Sequence, residues 1–183
     1  MNKGFSLLEV IIAISILGSG IAGAIALTTQ TIQAGTFVQK QLTAAYLAQE
    51  GLEVIHNLRH TNWIKEAEDG VTKWFTDLDK ANCSPEPLAV SACPIYAIVN
   101  YNGTAIQKTA ANDPSWQMSF NSASSRYIHD ATAPVFSRHI EINYAQDGDL
   151  KEYMLVKSIV TWDDGRGGIT AEDRLYNWKE APQ

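Results

Sequence analysis

The chain has 183 residues, a net charge of −6, and a composition that is 45% hydrophobic and 19% charged. With an apolar N-terminal helix set aside, about 120 residues remain, room for one small domain with a modest core. The acidic balance supplies no basic footprint, so nucleic-acid binding by charge is not indicated.

The N-terminus reads Lys3-Gly4-Phe5-Ser6-Leu7-Leu8-Glu9 and runs directly into an apolar stretch from Val10 to Leu27. One acid, Glu9, lies inside it. A carboxylate in hydrocarbon costs several kcal/mol, so Glu9 is expected to meet a partner. As a helix, Phe5 to Leu27 would extend about 34 Å at 1.5 Å per residue, enough to cross a bilayer core of about 30 Å. An ordinary secretory signal is cut after its apolar region and loses it. Here the basic leader ends at Gly4, before the apolar run, so cleavage between Gly4 and Phe5 would leave a hydrophobic helix on the product.

These residues resemble the class III leader of type IV pilins and of the pseudopilins of type II secretion. The resemblance implies that a membrane prepilin peptidase cuts after Gly4 and methylates the new amine of Phe5. It implies that Glu9 pairs, in the assembled filament, with the amino-terminal charge of a neighbouring subunit. Such a pair makes a buried acid tolerable. The implied partners are the peptidase and methylase, other pilin subunits, the membrane and an inner-membrane assembly platform. The implied location is a single-pass inner-membrane protein with an extracytoplasmic head, later part of a pilus or pseudopilus at the cell surface. A rival of another class is a signal-anchored extracytoplasmic binding domain that never polymerises; it would not require this order of residues.

Gly18, Gly20 and Gly23 cluster in the apolar half, each costing about 1 kcal/mol of helix relative to alanine. They mark a weak point that melts or bends on filament assembly, or alternatively a surface for close helix packing. From Thr28 the character turns amphipathic. Leu42, Ala45, Leu47, Ala48, Gly51, Leu52, Val54, Ile55 and Leu58 recur at spacings of three and four and are expected to face a core, with Gln41, Gln49, Glu50, Glu53 and Asn57 in water. One helix from about Phe5 to about Arg59 is expected. The resulting division is a leader over 1–4, a membrane and filament-core helix over 5–27, its amphipathic half over 28–60 and a β-rich head over 61–183.

Residues from Trp63 to about Thr132 read as irregular, with turn signals at Asp69-Gly70, Asn102-Gly103 and Asp113-Pro114. Cys83 and Cys93 frame a proline-bearing segment. In an oxidising compartment a disulfide closing this loop would stabilise the head by about 3 kcal/mol on the chain-entropy model; free thiols are the alternative. Ile95 to Tyr101 predicts a strand, and Trp116 to Phe120 is a weaker candidate. Val135–Tyr144, Tyr153–Trp162 and Ile169–Trp178 predict an antiparallel meander around two Asp/Gly turns. The expected fold is therefore α+β, a long helix whose outer half lies on a sheet of three to five strands. The segments Ala45 to Glu53 and Val160 to Trp178 also resemble, more loosely, minor pilins of the PilV and secretion-protein-I kind.

Candidate chemistry is sparse, and neither catalysis nor a cofactor is expected. His56 and His60 share a helix face at metal-binding spacing but lack an accompanying acid or third ligand, so no metal site is read there. Asp147, Asp149, Asp163, Asp164 and Asp173 offer calcium-type oxygens, yet Asp-Gly-Asp and Asp-Asp-Gly are equally the chemistry of turns. Ser137, His139 and Glu141 alternate along one predicted strand without an oxyanion motif. Gly165 to Gly168 lies between strands and not before a lysine-bearing helix, so it is no phosphate loop.

Overall fold

A computed structural model of the chain describes residues 6–78, 94–99, 106–146, 152–162 and 166–176, with 145, 146 and 152 described by backbone alone. The chain divides into two units, residues 1–40 and 41–183. Helix α1 runs without interruption from Leu7 to Asp69. Its first turn forms on Ser6, whose carbonyl accepts from Glu9 N at 3.0 Å and Val10 N at 3.2 Å. Gly70 at φ 64° ends it, where the left-handed backbone costs a glycine nothing. The Asp69 carboxylate accepts from Val71 N, Thr72 N and Thr72 Oγ1 at 2.6–2.9 Å and closes the turn.

The helix thus continues ten residues beyond Arg59. Asn62 and Trp63, beyond the expected end of the helix, belong to the buried stripe. The following chain folds back and accepts both Asn62 Nδ2 hydrogens, at 2.7 Å on Thr76 O and 3.4 Å on Trp74 O. A polar side chain is therefore satisfied in a core position.

Within residues 41–183 the described strands are β1 (Ile95–Val99), β2 (Ile106–Thr109), β3 (Gln117–Asn121), β4 (Arg126–His129), β5 (Phe136–Gln146), β6 (Glu152–Trp162) and β7 (Gly167–Tyr176). All pair antiparallel in one sheet centred on β5. One edge of β5 is split between β1, at Ala97 opposite Ile140, and β3, at Met118 opposite Phe136. The other edge carries β6 along its length, and β7 completes the expected meander. Seven strands exceed the three to five expected because β2 and β4 are short edge strands with little apolar alternation.

The inner sheet face and the helix stripe form two apolar clusters. Ala44, Leu47 and Ala48 pack with Met118, Phe136, Val160 and Trp162. Val54, Ile55, Leu58 and Trp63 pack with Ile140, Ile142, Met154, Val156 and Leu175. Gly51 lies between these two groups of helix residues and lets the helix approach closely, since a Cβ there would collide with Ser158 Oγ and lie 2.8 Å from Ile140 Cδ1. Leu42, assigned to the core by its spacing, instead points outward at 56% exposure. The stripe begins at Ala44, and the helix phase turns Leu42 away. The architecture is α+β, one long N-terminal helix and an antiparallel sheet, as the leader resemblance implies.

Candidate functional site

From Leu7 to Gln39 the chain presents an exposed helix surface. Leu7, Leu8, Val10, Ile11, Ile12, Ile14, Ile16, Leu17, Ile21, Ile25 and Leu27 are 45–77% exposed, apolar all round, and the helix is long and apolar enough to cross a membrane. Glu9 lies exposed in the first turn, where a carboxylate complements the positive end of the helix dipole. Polar groups here are matched internally. Ser15 Oγ donates to Ile11 O at 2.8 Å and Ser19 Oγ to Ile16 O at 2.9 Å, as a hydroxyl in lipid requires. Gly18, Gly20 and Gly23 lie within unbroken helix, with no neighbouring atom within 4 Å of where a Cβ would be. Gly4 and Phe5 lie outside the described residues, as do Cys83, Cys93, Asp147, Asp149, Asp163 and Asp164.

Several titratable side chains that the sequence singles out have structural partners among the described residues. His56 Nε2 lies 2.7 Å from Asp173 Oδ2, so the helix is tied to β7 there. His60 instead stacks on Trp63 at 5.5 Å between ring centroids, so the two rings are engaged with different partners. Among the described residues no group of three His, Cys, Asp or Glu is placed to hold a metal. Ser137, His139 and Glu141 do share one face of β5, but His139 stacks on Trp116 at 3.8 Å and Glu141 accepts from Asn143 Nδ2 at 3.2 Å. Burial also pushes the His139 imidazole below its usual range. Gly167 is covered by the Trp162 ring across the β6–β7 pair, a packing role.

Sequence reasoning missed Arg138. It alternates with apolar Phe136, Ile140 and Ile142 on the inner face of β5 and is 1% exposed. Its Nη1 donates to Leu47 O at 3.1 Å and its Nη2 to Val99 O at 2.8 Å, joining helix, β5 and β1. Glu50 Oε1 lies 3.5 Å away and offsets part of the buried charge. A lone arginine at an inward strand position was the available signal.

The N-terminal surface is the feature that the comparisons bear on. Residues 1–25 match the family model described as the prokaryotic N-terminal methylation motif. That match supports the type IV pilin and pseudopilin class, a structural class whose leader implies processing by a prepilin peptidase and assembly with other pilins. Neither curated proteins nor solved structures gave a match to this chain.

Proposed function

We propose that this chain is a minor pilin-like structural subunit of a type IV pilus or related filament. It inserts in the inner membrane with its head outside the cytoplasm, is cleaved after Gly4 and is N-methylated at Phe5. The observation that carries this reading is one helix combining the methylation motif, Glu9 in its first turn and an apolar surface exposed throughout. In the membrane, lipid covers that surface; in the filament, neighbouring helices replace the lipid, and Glu9 sets register by pairing with a neighbour's terminal amine. The proposed division is leader 1–4, membrane and filament-core helix 5–27, amphipathic helix from 28, and β-rich head. Gly18, Gly20 and Gly23 form the proposed weak point. Amide exchange that is equally slow there in membrane and filament would remove it.

The test is the mass of the mature N-terminal peptide from membranes of the native host. A peptide beginning at N-methylated Phe5 is expected. An intact peptide from Met1 to Glu9, beside an active prepilin peptidase, overturns the reading in favour of a plain anchor. Glu9→Ala is expected to be processed normally yet recovered in sheared filaments about tenfold less, the cost of roughly one lost charge pair. Undiminished recovery removes Glu9 from assembly.

A further inference from the structure

The edge of β5 that carries β1 and β3 is paired unevenly. β1 takes Ile140 to Ile142, and β3 takes Phe136 and Ser137, two register pairs against eleven between β5 and β6. Beyond Met118, β3 pairs with β4 alone. The β3–β4 hairpin is therefore joined to the sheet along a short base. That base consists of the ladder at Gln117 and Met118, a bond from Val135 N to Met118 O at 3.0 Å, and the Tyr127 ring set edge-on to Phe136 at 5.2 Å. Further out, Phe120 is 53% exposed. An element held by so few contacts opens at lower free energy than a central strand.

His129 ends the hairpin at that base, directly across from Met118. Its Nδ1 donates to Ser115 O at 3.0 Å, so Nε2 carries the lone pair of the neutral ring, and Nε2 is buried without a hydrogen-bond partner. A proton added there becomes a buried donor with no acceptor, close to the Arg138 guanidinium. Among the described residues, the short helix Pro114–Trp116 and β1 turn only backbone toward the ring, from Ser115, Trp116 and Val99. Glu50 on α1 lies 3.5 Å from Arg138 Nη1 and serves that cation. The acids Asp113 and Asp130 are held in their own turns, by Ser115 N at 2.8 Å and Thr132 N at 3.0 Å. On the other face of β5, His139 stacks on Trp116, and Glu141 favours its proton. Burial first and Arg138 second hold the His129 imidazole at about 4, against 6.5 in water.

We infer that the β3–β4 hairpin is an acid-released flap: protonation of His129 unseats it from β5 while β5, β6 and β7 stay paired. Release uncovers the apolar surface that Met118 and Phe136 bury when the flap is seated. The device belongs to the head and is independent of the filament reading. Its sign follows from linkage. The open form, with His129 in water, binds a proton that the closed form resists, so opening is favoured as pH falls from 6.5 toward 4. Above 6.5 the ring is neutral in both forms, and this dependence disappears.

The experiment is amide hydrogen exchange of the full chain in detergent at about pH 7 and about pH 5, with the intrinsic pH dependence of exchange divided out. The paired amides of β3 and β4 are expected to exchange through an opening at least about tenfold more populated than that of β6 at both pH values. The equilibrium constant of that opening is expected to rise about twentyfold on acidification, and by less than about threefold in His129→Gln. One common opening constant for the hairpin and β6 overturns the inference, since the hairpin then leaves only with the whole head. A wild-type rise below about threefold also overturns it. So does a full rise that survives in His129→Gln, which would assign the acid response to another group. If His129→Gln does not fold, the two wild-type comparisons decide.

Discussion

At the scale of single residues, the head is organised around a cation that water does not reach. Arg138 is held by two backbone carbonyls from different elements, and burial lowers its pKa while Glu50 opposes that shift. Its charge acts on His129, whose Nδ1 donates to Ser115 O at 3.0 Å. Burial first and Arg138 second push the His129 imidazole from 6.5 down to about 4. The folded head therefore keeps His129 neutral where the unfolded chain protonates it. As pH falls from 6.5 toward 4, the unfolded state binds the extra proton, and stability is lost by up to about 3 kcal/mol. His139, also depressed by burial, adds loss in the same direction. Urea unfolding of the full chain in detergent should show a midpoint that drops across this window. His129→Gln should flatten most of the drop; an unchanged slope would assign it to other groups.

At the scale of elements, the seam between α1 and the sheet decides the head's geometry. Gly51 is the point of closest approach, and Ser158, fully buried opposite it, leaves no room for a branched side chain. Gly51→Val is expected to destabilise the head by about 2 kcal/mol or more through overpacking, against which helix propensity offers little. A loss below about 0.5 kcal/mol by the same unfolding measurement would show that the helix lifts off the sheet without cost. Element boundaries show how far sequence reasoning reached. β1, β3 and the β5–β7 meander were legible because alternating apolar residues mark a half-buried strand. β2 and β4 were not, since an edge strand is held by backbone pairing and Ile106–Thr109 buries little. The end of α1 was misplaced because Asn62 is core only when Trp74 and Thr76 bring it carbonyls from twelve and fourteen residues away.

At the scale of the whole molecule, the chain separates two chemistries along its length. From Val10 to Gln39 the helix carries no charge and is exposed, and the rest of the chain gathers most of the ionisable groups and the buried aromatics Trp63, Trp74, Trp116 and Trp162. An exported head of this size would gain from a Cys83–Cys93 bridge, worth about 3 kcal/mol by loop closure. Alkylation of chain taken from the native host is expected to add no mass without reduction and two adducts after it. Two adducts without reduction would establish free thiols.

The N-terminal motif was legible in sequence because a leader is local: the match over residues 1–25 rests on order and spacing within a short stretch, and an apolar run needs no partner in the chain to be recognised. The α+β class followed from periodicity for the same reason. What only the tertiary structure decided is the part that depends on residues distant in sequence. Arg138 is a core residue because Leu47 and Val99 present carbonyls to it, and Leu42 faces outward because the sheet meets the helix from Ala44 onward. His56 ties the helix to the sheet because β7 delivers Asp173 to it. Local patterns state what a segment can bury; the fold determines which side chain meets which.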